Sequence, residues 1–386
     1  MFSEARRGAF LFFGAAKKRR KTMVRAVLML TAWTLVLFAG VARAEELKVA
    51  DVLKETQING LLSAGYNYNW NEPHDRGIDL RPFNDKHDSF TLELAQLVFH
   101  KDATEPEQAG FRLDLNFGYT VPKTIHSTGA SSSDDLDVRQ AFISYIAPVG
   151  SGLKIDFGKF VTDHGMEVIE GYEDWNWNYS RSLLFYFAIP FTHTGVRGTY
   201  AVNDKLTLSG AIVNGWDNVT DNNTSKSGHI FAYITPVEGT TIGVKYMVGA
   251  EQTDNNGNLR HLVNVNLSTA IDKLLLRADL AYGKEEDVPG IGDSTWKALA
   301  GYLRFPITEK FAINARAEVF YDDDGARTGT EQDLWEVTLT PEYTLNENLL
   351  IRGEYRHDES DQEAFGEGGG TSESQDTIGI NAIYHF

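Results

Sequence analysis

From Gln57 to Phe386, apolar and polar side chains alternate with a period of two, in runs of roughly ten residues. In "FRLDLNFGY" (111–119), Phe111, Leu113, Leu115, Phe117 and Tyr119 take one face, and Arg112, Asp114, Asn116 and Gly118 the other. In "FAINARAEVFY" (311–321), Phe311, Ile313, Ala315, Ala317, Val319 and Tyr321 oppose Asn314, Arg316 and Glu318. "KLLLRADLAY" (273–282) and "LLIRGEYRHD" (349–358) repeat the pattern, and the chain ends on another such run, "IGINAIYHF" (378–386). Successive side chains of a strand point to opposite faces, so each run reads as a strand with one apolar and one polar side.

The connections have a rhythm of their own. Short ones ("VNDK" at 202–205, "IDK" at 271–273, "ITEK" at 307–310, "LNEN" at 345–348) alternate with long ones rich in Asp, Asn, Gly, Ser and Glu. The long ones include 71–88, 122–135, 161–189, 216–226, 252–258, 285–294, 322–332 and 359–374. The count is about sixteen strands, with both chain ends on the short-turn side. "DVRQAFISYI" and "HIFAYI" alternate poorly, and residues 45–56 read as a short lead-in outside the array.

Which face is buried decides the fold class. A soluble sandwich would turn its apolar face inward and is built in units of ~100–200 residues, whereas here the style runs unbroken to the C-terminus. Aromatics gather at strand ends (Tyr119, Tyr282, Phe311, Tyr321, Tyr355, Tyr384, Phe386), and single Arg, Asp and Glu residues sit at mid-strand on the opposite face. An all-β fold satisfies both facts: a single closed antiparallel transmembrane β-barrel with short periplasmic turns and long outer loops. Outer-membrane lipids and lipopolysaccharide then meet the apolar face, and the charges line the lumen. The last strand closes on the first, and Phe386 resembles the C-terminal signal that the barrel assembly machinery reads on bacterial outer-membrane barrels.

The charge distribution agrees with export. The formal charge is −18, but residues 1–44 carry nine Lys/Arg and one Glu, which leaves −26 on the remainder. So acidic a body argues against nucleic acid as a partner. "KKRRKTMVR" (17–25), the apolar run 26–42 and Ala42-Arg43-Ala44 have the form of a signal peptide spanning 1–44, with Met23 as an alternative start and a retained anchor as the alternative fate. The chain has no Cys, which removes thiolate metal sites and disulfides.

The block at 157–200 is the most distinctive part of the chain. It runs Gly158-Lys159, then Gly165 and Glu167, then "NYSRS" (178–182), then Pro190, Phe191, His193, Thr194, Gly195 and Arg197. This block resembles the OmpL-like β-barrel porin family, and the resemblance covers the chain after the leader. It implies a porin-like pore.

Segment 161–189 is too aromatic to float in water and is expected to fold into the lumen. There it would present Asp163, Glu167, Glu170, Glu173, Asp174 and Arg181 toward Arg197, Arg277, Arg316, Arg352 and Arg356 of the wall, placing a transverse field across a constriction. A lid over the mouth or a contact with a partner subunit is the alternative placement. The expected function is passive diffusion of small hydrophilic solutes and ions, mildly favouring cations, across the outer membrane of a Gram-negative bacterium. A homotrimer is expected by analogy with barrels of this size. A non-channel barrel acting as receptor or adhesin through its acidic loops is the competing reading. No catalytic motif, cofactor site or metal-binding pattern emerges. The serines of "NYSRS" lie near His164 and His193 in sequence, but proximity of this kind is common by chance.

Overall fold

Each amphipathic run forms a strand in the computed structural model of the chain, which describes residues 55–124 and 136–386. The leader at 1–44 and the lead-in as far as residue 54 lie outside the described residues. Sixteen strands close into one antiparallel barrel. The first eight are β1 (Gln57–Asn69), β2 (Ser89–Lys101), β3 (Ala109–Phe117), β4 (Leu136–Ala147), β5 (Leu153–Val161), β6 (Thr192–Asn203), β7 (Leu206–Val213) and β8 (Ser227–Ile234). They are followed by β9 (Thr240–Ala250), β10 (Leu259–Ile271), β11 (Leu274–Val288), β12 (Gly292–Pro306), β13 (Phe311–Asp322), β14 (Gln332–Asn346) and β15 (Leu349–Ser360). A small hairpin, β16 (Phe365–Glu367) with β17 (Gly370–Ser372), decorates the last long loop before β18 (Ser374–His385). A four-residue helix, α1 (Val121–Thr124), follows β3.

Closure joins β18 to β1, in register from Leu61 opposite His385 to Asn69 opposite Thr377. The terminal residue takes part: Phe386 and Gly60 exchange two backbone hydrogen bonds of 3.0 Å. A Cβ at residue 60 would stand 2.6 Å from Cζ of the Phe386 ring, so glycine there makes room for the ring to lie across the seam.

Polarity follows the pleat. Along β14, Trp335, Val337 and Leu339 are exposed while Glu336, Thr338 and Thr340 are buried. A face that exposes Phe90 at 85%, Ile212 at 66% and Ile230 at 64% needs lipid, not water, against it. Trp70, Tyr282, Tyr321 and Trp335 mark the outer rim, and Tyr145, Phe305, Tyr343 and Tyr384 the turn side.

Three local expectations change. Tyr119 does not end a lipid-facing strand; it lies beyond β3 and donates to Asp85 of the first long loop at 2.7 Å. Segment 285–294 is not a long loop, because β11 and β12 continue above the membrane and leave only residues 289–291 between them. Glu285 and Ser294 are buried at its base, but residues 286–288, 292 and 293 beyond them are polar or partly exposed on both faces, so the run loses the alternation that marks a spanning strand. The lumen is also not uniformly polar. Met247, Leu262, Trp296, Phe320 and Leu334 face inward and are buried in one cluster with residues of the segment between β5 and β6.

Candidate pore constriction

The segment 162–191 leaves the wall at the end of β5 and returns at the start of β6. Its neck is closed by Thr162 N donating to Phe191 O at 2.9 Å, and by Phe191 N and Thr192 N donating to Asp217 at 2.6 and 2.8 Å. Between these points the chain turns into the barrel and bonds to the far wall, β13 to β15. Wall carboxylates take its amides: Glu354 accepts from Tyr179 N (2.6 Å) and Ser180 N (2.8 Å), and Glu318 from Leu183 N (2.5 Å) and Leu184 N (3.1 Å). Wall guanidiniums take its carbonyls: Arg316 donates to Ser180 O, Arg352 to Asn176 O, each at 2.7 Å, and Arg356 to Arg181 O at 2.5 Å.

The same arginines meet the loop's acids. Arg316 pairs with Glu167 at 2.8 Å and with Glu336 at 2.6 Å; Arg352 pairs with Glu170 at 3.0 Å. Arg356 pairs with Asp358 at 2.5 Å. Glu167 also accepts from Ser182 N and Oγ, which fixes the base of the loop on itself. Arg181 reaches Glu170 at 3.1 Å and lies over the Phe83 ring. Burial alone would raise the Glu170 carboxyl, but Arg181 and Arg352 outweigh it and hold the group below its ordinary range. Tyr179, whose hydroxyl burial and Glu93 keep protonated, donates to Glu93 and accepts from Asn67. The "NYSRS" motif is therefore an anchor, since each of its five residues bonds a side chain of the wall or of the loop itself. Its serines engage Glu167 and the arginines, while His164 and His193 pack around His229; among the described residues no Ser–His hydrogen bond forms.

The tip of the loop is apolar. Leu184–Ala188 forms one π-helical turn, and Leu184, Phe185, Phe187 and Phe191 pack on Trp216, Trp296, Phe320 and Leu334. Phe83 from the first long loop and Phe365 from β16 complete the cluster. This is why the wall carries apolar residues inside: they receive the loop. Trp296 lies against Gly283, its cross-strand partner, where any side chain would collide with the indole.

On the other side, between the loop and β3 to β6, a cavity of about 330 Å³ remains. Arg112, Arg139, Lys154 and Arg197 face it from the wall, and Asp163, Glu167, Glu173 and Asp174 from the loop. Arg197 pairs with Asp156 and Asp163, both at 2.9 Å, and Arg112 with Asp114 (2.8 Å) and Glu173 (2.7 Å). Glu173 is half exposed. Burial raises the Asp174 carboxyl, with Arg277 opposing in part, and Arg277 itself stacks 4.1 Å over the Trp177 ring. Of the eleven expected site residues, Glu167 spans both regions. Glu170, Arg181, Arg316, Arg352 and Arg356 lie in the anchor, Asp163, Glu173, Asp174 and Arg197 at the cavity, and Arg277 beneath Trp177.

Sequence reading missed Arg139, Lys159 and Arg81. Arg139 is the extra residue of a bulge: Asp114 faces Gln140 and Leu115 faces Val138, so Arg139 and Gln140 are both buried on the lumen side. The broken alternation of "DVRQ" was the visible trace of it. Lys159, in the Gly-Lys pair of the distinctive block, bonds Asp137 at 3.2 Å and Val138 O at 2.7 Å. Arg81 fastens the first loop to Asp358 at 2.7 Å.

Solved structures share this fold at low identity. Vibrio cholerae OmpT is 14% identical with a TM-score of 0.58, over 86% of this chain and 97% of that one, and a trimer form of it also matches. Pseudomonas putida OprB is 11% identical, with a TM-score of 0.60 over 87% and 96%. An anion-selective porin from Comamonas acidovorans is 10% identical, with a TM-score of 0.59 over 86% and 99%. No curated protein matches in sequence. Residues 55–386 match the family described as "Putative beta-barrel porin-2, OmpL-like", and the chain belongs to that family of bacterial outer-membrane barrels.

Proposed function

We propose that this porin passes small hydrophilic solutes and ions by diffusion, along the side of the loop that faces β3 to β6. The observation that carries the reading is the 330 Å³ cavity with cations on one wall and acids on the other, the arrangement that orients polar solutes in a narrow water-filled passage. Four cationic and four acidic groups line it, and Asp114 and Asp156 sit behind Arg112 and Arg197. With Arg316 behind Glu167 counted as well, one surplus acid supports a mild cation preference, weakened by salt as screening shortens to ~8 Å at 0.15 M. A homotrimer is the proposed assembly, on the precedent of the OmpT trimer form, and cross-linking in membranes tests it.

The functional test is single-channel recording in a planar bilayer. Stepwise conductance with a reversal potential on the cation side supports the proposal. A correctly folded but silent barrel sinks it and leaves the receptor or adhesin reading, which the filled half of the lumen favours.

A further inference from the structure

Three imidazoles meet where the inward loop leaves the wall. His164 belongs to the loop, His193 to the start of β6 and His229 to β8. The rings of His193 and His229 are 4.3 Å apart and those of His164 and His229 5.5 Å apart, with Phe231 beside both His164 and His229. All three side chains are buried. His193 is satisfied as a neutral ring: Nδ1–H donates to Gly215 O at 3.1 Å, and Nε2 accepts from the Thr162 hydroxyl at 3.0 Å. The four ring nitrogens of His164 and His229 have no hydrogen-bond partner among the described residues. Buried polar atoms left unpaired are rare and mark strain or function.

Among the described residues no carboxylate pairs with His164 or His229, and the charged groups nearby are engaged elsewhere. Lys245 of β9 is a cation and donates to Gly165 O at 3.2 Å. Asp163 is committed to Arg197, Asp217 to the amides of Phe191 and Thr192, and Asp279 of β11 to Asn264 and Met166 N. Burial, with Lys245 and His193 beside it, pushes the His164 imidazole well below its ordinary value. At neutral pH the three rings therefore behave as apolar packing that holds residues 162–166 against β8 and β9.

We propose that the three histidines form an acid-sensitive latch, which holds the root of the inward loop on the wall at neutral pH and lets it go on acidification. The sign follows from the protons bound. The released His164 titrates at its ordinary value, about 6.5, and the latched ring binds a proton only at lower pH. The latched state is thus fully stable above about 6.5 and loses stability as pH falls below it. Space for the freed root exists in the neighbouring cavity, which Thr162 and Asp163 already line, so release narrows the passage. Gly165, at φ +85°, is the pivot.

The test has two arms, both on the full-length barrel. Hydrogen exchange of the Gly165 and Met166 amides, which donate to Asn264 and Asp279 in the latched state, does not depend on the pore reading. Between pH 7.5 and 5, after correction for intrinsic rate, their protection is expected to drop at least tenfold in the native chain and to stay flat in His164→Phe and in His229→Phe. Unchanged protection in the native chain overturns the latch. The conductance arm rests on the pore reading: acid should bring stepwise closures in the native channel and none in the two variants. A barrel silent at every pH that still loses protection refutes the pore and keeps the latch.

Discussion

Glu170 and Glu173 sit three residues apart and answer different questions. Glu170 is buried against Arg352, whose side chain has no exposed surface. Glu170→Gln leaves that guanidinium short of its partner, and breaking such a pair costs about 3–5 kcal/mol. The expected result is a lower temperature for the shift from folded to unfolded mobility on gels, with little direct change in ion preference. Glu173 is half exposed and meets Arg112 at the cavity, where a pair contributes about 0–1 kcal/mol. Glu173→Gln, combined with Asp174→Asn, should leave thermal stability within that range and move the reversal potential toward anions. An unmoved potential would mean that these acids do not border the ion path.

At the scale of the loop, charge and apolar packing divide the work. Removing a buried aromatic ring costs about 3–5 kcal/mol, so Phe185→Ser with Phe187→Ser should free the tip while β13 to β15 stay paired. Recordings should then show larger, flickering conductance, and circular dichroism an unchanged β signal. Much of this element was legible beforehand. The aromatic run from Trp175 to Phe187 has no business in water, and period-two reading put Arg316, Arg352 and Arg356 on the lumen face. What alternation could not reveal was which charges would be consumed. Glu318 and Glu354 read as pore-lining acids, yet they cap backbone amides of the loop, a role that depends on where a non-periodic segment lands. The β8 strand was obscure for a related reason: His229, Phe231 and Tyr233 face inward there, so both faces of the run look apolar.

For the barrel as a whole the seam is the decisive contact. Adding an isopropyl group at residue 60 drives Cβ into the Phe386 ring and toward Gln96 O, 2.8 Å away. Gly60→Val should therefore lower the yield of assembled barrel in the outer-membrane fraction, as deletion of Phe386 should; normal yield from both would show that closure does not need the terminal ring. The placement of the loop has a different consequence. It is tethered chiefly to β13–β15, while solutes would travel past β3–β6, so most of the residues that hold the loop and most of those that would meet cargo occupy opposite arcs of one wall. Substitutions at Lys154 or Glu173, both partly exposed, can then drift, or be redesigned, without passing through unfolded intermediates. A lineage built on this plan can change its diet while keeping its architecture.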